Sequence, residues 1–244
     1  MKKIPSLFVR DRDGNRSLVT REVNPECGWV EAGEGVPTRK RDGTACLVRD
    51  GVLFRRYDAK PGRTPPPGFE SCQDPVPETG HAPGWVPIGD GPADRWYRTA
   101  FDGAGDLPNG TYELCGPHFN TNPEGVAADI FILHGSEVLP DGPRYFDEIR
   151  RFLGDTRFEP CIEGIVWHHP DGRMAKIKAR DLGLKWPREE DVEALRRERD
   201  GLRALLREIM ATEFEDEGGW SALTPRDVLD ALLVARIERA VEVK

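Results

Sequence analysis

Residues 162–179 read Ile162-Glu163-Gly164-Ile165-Val166-Trp167-His168-His169-Pro170-Asp171-Gly172-Arg173-Met174-Ala175-Lys176-Ile177-Lys178-Ala179. Two β-favouring runs, Ile162 to His168 and Met174 to Ala179, are joined through Pro170-Asp171-Gly172, so the stretch predicts an antiparallel hairpin. Its polar residues are conspicuous. Glu163 opens an otherwise apolar run. Lys176 and Lys178 alternate with Ile177, which puts two ammonium groups on one strand face about 7 Å apart. Read alone, Glu163 is a strand-end charge and the lysines form a solvated face. Read as chemistry, the carboxylate is a hard oxygen ligand for a divalent cation and the lysines are a phosphate clamp. His168-His169 has the look of a metal pair, but neighbours on a strand point to opposite faces and rarely share an ion.

Upstream, Thr44-Ala45-Cys46-Leu47-Val48 and Val52-Leu53-Phe54 flank Asp50-Gly51, a two-residue turn signal, so residues 43–57 predict another hairpin. Nine prolines and six glycines crowd residues 61–94. At that density no regular element is expected, only a long ordered loop or a flap. Short strands are expected at Thr111–Leu114 and Asp129–Leu133. A helix is expected over 144–153, with Tyr145, Ile149, Phe152 and Leu153 on one face.

The composition changes after Trp186-Pro187. Val192, Leu195, Leu202, Leu206 and Ile209 recur at helical spacing, Gly218-Gly219 interrupts the pattern, and Thr224-Pro225 starts a second helix. The expected organisation is an α+β chain: an antiparallel-sheet body over 1–187 and a C-terminal helical hairpin over 188–244.

Composition bounds the setting. The chain has 244 residues, 38% hydrophobic and 32% charged, which reads as soluble and globular. No run of about 18 apolar residues predicts a membrane span, and the N-terminus has no apolar core of a signal peptide. Five widely spaced cysteines fit a reducing cytoplasm and offer no CxxC knuckle. The net charge of −8 weighs against nucleic-acid binding, although a cleft responds to its local field. Arg39–Arg41, Arg55–Arg56 and Lys176–Arg180 are locally basic.

Lys40-Arg41-Asp42-Gly43 is the remaining element. Alone it is a surface lysine before a turn. As chemistry, Lys40 is a nucleophile, which attacks only as the neutral amine; nearby cations (Lys176, Lys178, Arg56 or a metal) are expected to lower its pKa. Gly43 would let the backbone pass close to the site. Glu113, within Tyr112-Glu113-Leu114, faces solvent or accepts a hydrogen bond from a ribose hydroxyl.

Taken in order, Lys40-Arg41-Asp42-Gly43, Arg56, Glu113, Glu163-Gly164-Ile165-Val166 and Lys176-Ile177-Lys178 resemble the five motifs of the covalent nucleotidyltransferases, the superfamily of ATP-dependent DNA and RNA ligases and mRNA capping enzymes. The ordered set spans residues 40–178. Lys40–Thr44, Arg56-Tyr57-Asp58-Ala59-Lys60-Pro61 and Glu163–Trp167 more narrowly resemble the 5′-to-3′ RNA ligases of vertebrates, bacteria and phages. The resemblance implies a nucleotidyltransferase (adenylation) fold. It implies that Lys40 forms a phosphoramidate with AMP from ATP, that Arg56 and Glu113 hold the nucleotide with Asp42 and Gly43 beside it, and that Glu163 supports Mg²⁺ or Mn²⁺. Lys176 and Lys178 would bind the α-phosphate, and Phe131 is the residue expected to stack on the base. AMP would pass to an RNA 5′-phosphate, and a 3′-hydroxyl would displace it, a reaction suited to RNA repair.

Two departures stand out. Some relatives carry an acidic residue before the nucleophile, where this chain has Arg39, which leaves ATP over GTP less secure. DNA ligases and capping enzymes follow KxK with a β-barrel, whereas helices are expected here. The alternatives are a DNA ligase, an RNA guanylyltransferase, or a nucleotide- or RNA-binding protein without catalysis. Nothing in the sequence assigns an oligomeric state.

Overall fold

The computed structural model describes residues 1–77, 79–155 and 162–186, together with residues 197, 201 and 204. The expected helices within 188–244 lie outside the described residues. Compactness divides the chain into two units, 1–195 and 196–244.

In chain order the elements are β1 (Phe8–Arg10), β2 (Val19–Val23), α1 (Gly28–Glu31), β3 (Val36–Lys40), β4 (Thr44–Arg49), β5 (Val52–Ala59), β6 (Glu70–Ser71), β7 (Ala82–Pro87), α2 (Arg95–Gly103), β8 (Gly110–Cys115), β9 (Ile130–Leu133), α3 (Phe146–Gly154), β10 (Gly164–His168) and β11 (Met174–Lys178). The chain is thus mixed α and β, with few helices among the described residues. Its strands form a ribbon β1-β2, a three-stranded sheet β11-β10-β3 and a six-stranded sheet β6-β7-β5-β4-β8-β9, and the strands pair antiparallel throughout.

Both expected hairpins form. Asp50 and Gly51 have φ of 52° and 75°, the two positive angles that a type I′ turn between β4 and β5 requires. At the other turn Gly172 has φ 91°, and β10 meets β11 from Gly164↔Lys178 to His168↔Met174.

The Pro/Gly-rich stretch is more ordered than its composition indicates. Within it β7 pairs with β5 along its whole length, from Phe54↔Pro87 to Ala59↔Ala82. The prolines are tolerated because of strand parity. The Ile88 amide donates to the Leu53 carbonyl, so even-numbered residues of this strand point their amides at β5. Pro83 and Pro87 therefore turn their missing N–H groups to the other side, where β6 covers only Gly84 and Trp85. Gly84 is needed there: a Cβ would lie 2.3 Å from the Glu70 carbonyl oxygen.

Strand alternation sorts each sheet into two faces. On the three-stranded sheet Ile165, Trp167, Ala175 and Ile177 are fully buried against Leu7, Val30 and α3 residues Ile149 and Leu153. Each large apolar side chain buried this way contributes about 1.5–3 kcal/mol. Phe152 packs on the edge of this cluster, whereas Tyr145 precedes the helix and is exposed. On the six-stranded sheet Cys46, Val48, Tyr112 and Leu114 pack against α2 through Ala100, Trp96 and Phe101. The opposite faces of the two sheets border a common cavity, reached by Lys40 and Val166 from one side and Ala45 and Glu113 from the other.

Candidate active site

Gly164 is the pivot of the site. It pairs with Lys40 of β3 on one side and Lys178 of β11 on the other. Directly opposed residues share a face, so both lysines project on the side where Gly164 has no side chain. A Cβ at Gly164 would fall 2.0 Å from the Ile177 carbonyl oxygen, so no other residue fits without moving β11. Glu163, fully buried, lies just before this rung. Lys178 Nζ sits 2.6 Å from Glu163 Oε1, and Lys40 Nζ donates to Glu163 Oε2. Lys176 lies on the next rung of the same face, opposite Val166.

The electrostatics correct one expectation. Burial favours the neutral amine of Lys40, but Glu163 in contact, with Glu113 and Asp42 nearby, overrides it and raises the pKa. Lys40 therefore rests as an ammonium. The lysine pushed down is Lys176, to about 8, first by burial and then by the charges of Lys40 and Lys178. Of the cations predicted to act on Lys40, Lys178 depresses Lys176 instead, whereas the pKa of Lys40 is governed by the carboxylate in contact with it.

The cavity has a volume of about 460 Å³, within the range of small-ligand sites. Lys40, Lys176, Lys178 and Glu113 all border it. Glu113 occupies one rung with Ala45 and Ile132. Its Oε1 accepts from the Gly43 amide at 3.1 Å, and its Oε2 lies 2.9 Å from His134 Nε2. Gly43 is forced: a Cβ would meet the Leu114 carbonyl oxygen at 2.4 Å.

Asp42 serves as a strut beside the cavity. Its Oδ1 accepts from Asn120 Nδ2 at 2.6 Å, its Oδ2 from Trp186 Nε1 at 2.9 Å, and its amide donates to Glu124 at 2.9 Å. Arg56 stands one step back: its Nη1 donates to the Met1 carbonyl at 2.6 Å, and Met1 borders the cavity. Phe131 is not brought to the cavity. It pairs with Leu114 on the opposite face of β9 and packs edge-on against Phe101 and Tyr112. Alternation gives its neighbour Ile132 to the cavity instead.

Sequence reading missed several participants. Thr38, His134 and His168 border the cavity; only the His-His doublet had drawn notice. Its two members do part as strand geometry requires: His168 bonds Thr38 Oγ1, while His169 packs edge-on against Trp29. The basic run Arg39–Arg41 is internally balanced. Arg39 and Arg41 both reach the Glu124 carboxylate, whose side chain is buried, at 2.8 and 2.7 Å, and Arg41 also binds Glu137.

Beyond β11 opens a wide groove of about 1620 Å³ bordered by Lys2, Lys3, Arg10, Arg12 and Arg180. Lys176 and Lys178 border both this groove and the cavity. The local charge is therefore positive in a chain whose net charge is −8.

Comparison with known proteins agrees with this arrangement. A family model described as RNA ligase 1 matches residues 100–198, a span containing Glu113, Glu163, Lys176 and Lys178. RNA ligase 1 of Danio rerio is 26% identical over 267 residues, covering 76% of this chain and 82% of that protein. The Pongo abelii protein of the same name is 26% identical with the same coverage, and that of Mus musculus is 26% identical, covering 76% and 81%. With Lys40, Glu113, Lys176 and Lys178 bordering one cavity and relatives matched over most of their length, the chain is similar to the RNA ligase 1 family.

Proposed function

We propose that this chain is an ATP-dependent ligase that seals RNA 5′-phosphate and 3′-hydroxyl ends through a lysyl-AMP on Lys40. The observation that carries the proposal is the convergence of Lys40, Lys178 and buried Glu163 at one end of a nucleotide-sized cavity.

The chemistry follows from the contacts. Lys40 Nζ must give up a proton before its lone pair can attack the α-phosphorus. Glu163 Oε2 is the acceptor already bonded to that nitrogen. The N–P bond forms as the bond to pyrophosphate breaks. Lys176 and Lys178, on the same face, stabilise the charge that gathers on the phosphoryl oxygens. Glu113, fixed by the Gly43 amide, presents a carboxylate for a ribose hydroxyl. In the second step the RNA 5′-phosphate takes the AMP from Lys40, and in the third the 3′-hydroxyl displaces AMP. The groove holding Lys2, Lys3, Arg10, Arg12 and Arg180 is where phosphates of the strand would lie, since Lys176 and Lys178 join it to the cavity.

Glu163 also fits a divalent ion. Its buried Oε1 makes no hydrogen bond of good geometry, only the close ion pair with Lys178 Nζ, and Mg²⁺ is commonly held by one or two carboxylates with substrate phosphates and water. Bound there, Mg²⁺ or Mn²⁺ would supply positive charge to the phosphates. Among the described residues, no group of three or more His, Cys, Asp or Glu gathers as a protein-only cage. No helix among them is long and apolar enough to cross a membrane.

Intact mass spectrometry after exposure to ATP with Mg²⁺ or Mn²⁺ tests the proposal. The expected result is a gain of one AMP that Lys40→Ala abolishes, followed by sealing of nicked RNA in preference to nicked DNA. Failure of folded protein to take up AMP on Lys40 would overturn it.

A further inference from the structure

The cavity is graded along the three-stranded sheet. The Lys40–Gly164–Lys178 rung carries the ammonium groups. The next rung is Thr38–Val166–Lys176, and the third is Val36–His168–Met174. Gly164 and His168 are separated by four residues of extended strand, about 13 Å. That is the reach of a mononucleotide from its α-phosphate to the far edge of its base. A nucleotide with phosphate at Lys40 therefore lays its base over Val166, with its outer edge toward Thr38 and His168. This placement rests on the function proposed above.

The hydrogen bonds at that end set the polarity of His168. Thr38 Oγ1 donates to the Val166 carbonyl at 3.0 Å, in a buried bond. A hydroxyl has one proton, so the same oxygen can only accept from His168 Nε2, 3.1 Å away. Nε2 thus carries hydrogen. Burial first, and then His134, lowers the pKa of this imidazole, so the ring is neutral and Nδ1 is a lone pair. Among the described residues nothing hydrogen-bonds to that lone pair, and the ring borders the cavity.

We propose that His168, set in one tautomer by Thr38, selects the purine by accepting a hydrogen bond at Nδ1 from a 6-amino group. Adenine offers that donor. Guanine offers a 6-oxo acceptor, which would face the lone pair and leave two acceptors unpaired. A purine with hydrogen at position 6 would lose the bond without the repulsion. Arg39, the departure from an acidic residue that left the base unassigned, is engaged with Glu124. Thr38 is a positioning residue here, acting through the imidazole.

The test is the rate of covalent nucleotide transfer to Lys40, followed by mass, with ATP, GTP and purine riboside triphosphate. Wild type is expected to favour ATP over purine riboside triphosphate about 10-fold, one hydrogen bond's worth, and over GTP by more. In His168→Leu and in Thr38→Val the ATP-to-purine ratio is expected to fall toward one, whatever the absolute rates. A purely structural role for Thr38 would lower all three rates alike and keep the ratio. Equal wild-type rates with ATP and purine riboside triphosphate would overturn the inference and leave the ligase reading standing. Absence of any adduct at Lys40 would overturn the ligase reading itself. The wild-type comparison needs no variant to fold.

Discussion

Lys40 and Lys178 sit opposite the same residue, Gly164, on the two outer strands of a three-stranded sheet, and both reach the carboxylate of Glu163. The Glu-Gly pair thus has a joint purpose. The glutamate supplies one buried charge for two cations, and the glycine clears the space over which the lysines approach it.

Gly164→Ala tests that relationship directly. The added methyl would enter the Ile177 carbonyl, 2.0 Å away, so β11 must shift. We expect a stability loss of about 1–3 kcal/mol, typical of overpacking, by urea titration, together with loss of nucleotide transfer to Lys40. Unchanged transfer in a folded Gly164→Ala protein would contradict the pivot assignment.

Lys176 gives a pH signature. Its pKa of about 8 lies below the ordinary 10.5, so between those values the unfolded chain binds the extra proton and stability rises with pH. Below about pH 8 the charged side chain is a net cost, worth a few kcal/mol at most. Lys176→Met is therefore expected to be more stable than wild type at pH 7, with the gap closing as pH climbs from 8 to 10.5. A gap in melting temperature that is constant over this window would count against the shift.

Phe131 and Ile132 separate a core role from a cavity role. Phe131→Leu should cost about 1 kcal/mol by loosening the packing on Phe101 and Tyr112, with nucleotide affinity unchanged by calorimetry. Ile132→Trp, which projects into the cavity, should weaken nucleotide binding with little loss of stability. The reverse pattern would put Phe131 back at the base.

The basic groove predicts a salt response. Replacing Lys3 and Arg12, both exposed and bordering the groove, removes two cations that would neutralise RNA phosphates. The slope of log affinity against log salt for single-stranded RNA should become shallower by roughly 0.7 for each phosphate no longer neutralised. An unchanged slope in filter binding would place the strand elsewhere.

Much of this was legible from local pattern. Asp50-Gly51 and Pro170-Asp171-Gly172 announced their hairpins because turn chemistry is a property of a few adjacent residues. The polar positions of β10 and β11 stood out because strands alternate, and an out-of-place charge is visible within five residues. The ordering of Lys40, Glu113, Glu163, Lys176 and Lys178 along the chain was likewise readable.

What the sequence could not settle was who faces whom. The choice of Ile132 over Phe131 for the cavity turns on one step of strand register, which only pairing with β8 decides. The order in β7 depends on which side its prolines turn, a matter of its neighbours. Above all, the direction of the Lys40 pKa depends on a carboxylate 123 residues away in the chain coming into contact with it. The sequence by itself supplied the reacting groups and their order; the fold alone, by setting distances and burial between remote residues, decided which charge each of them feels.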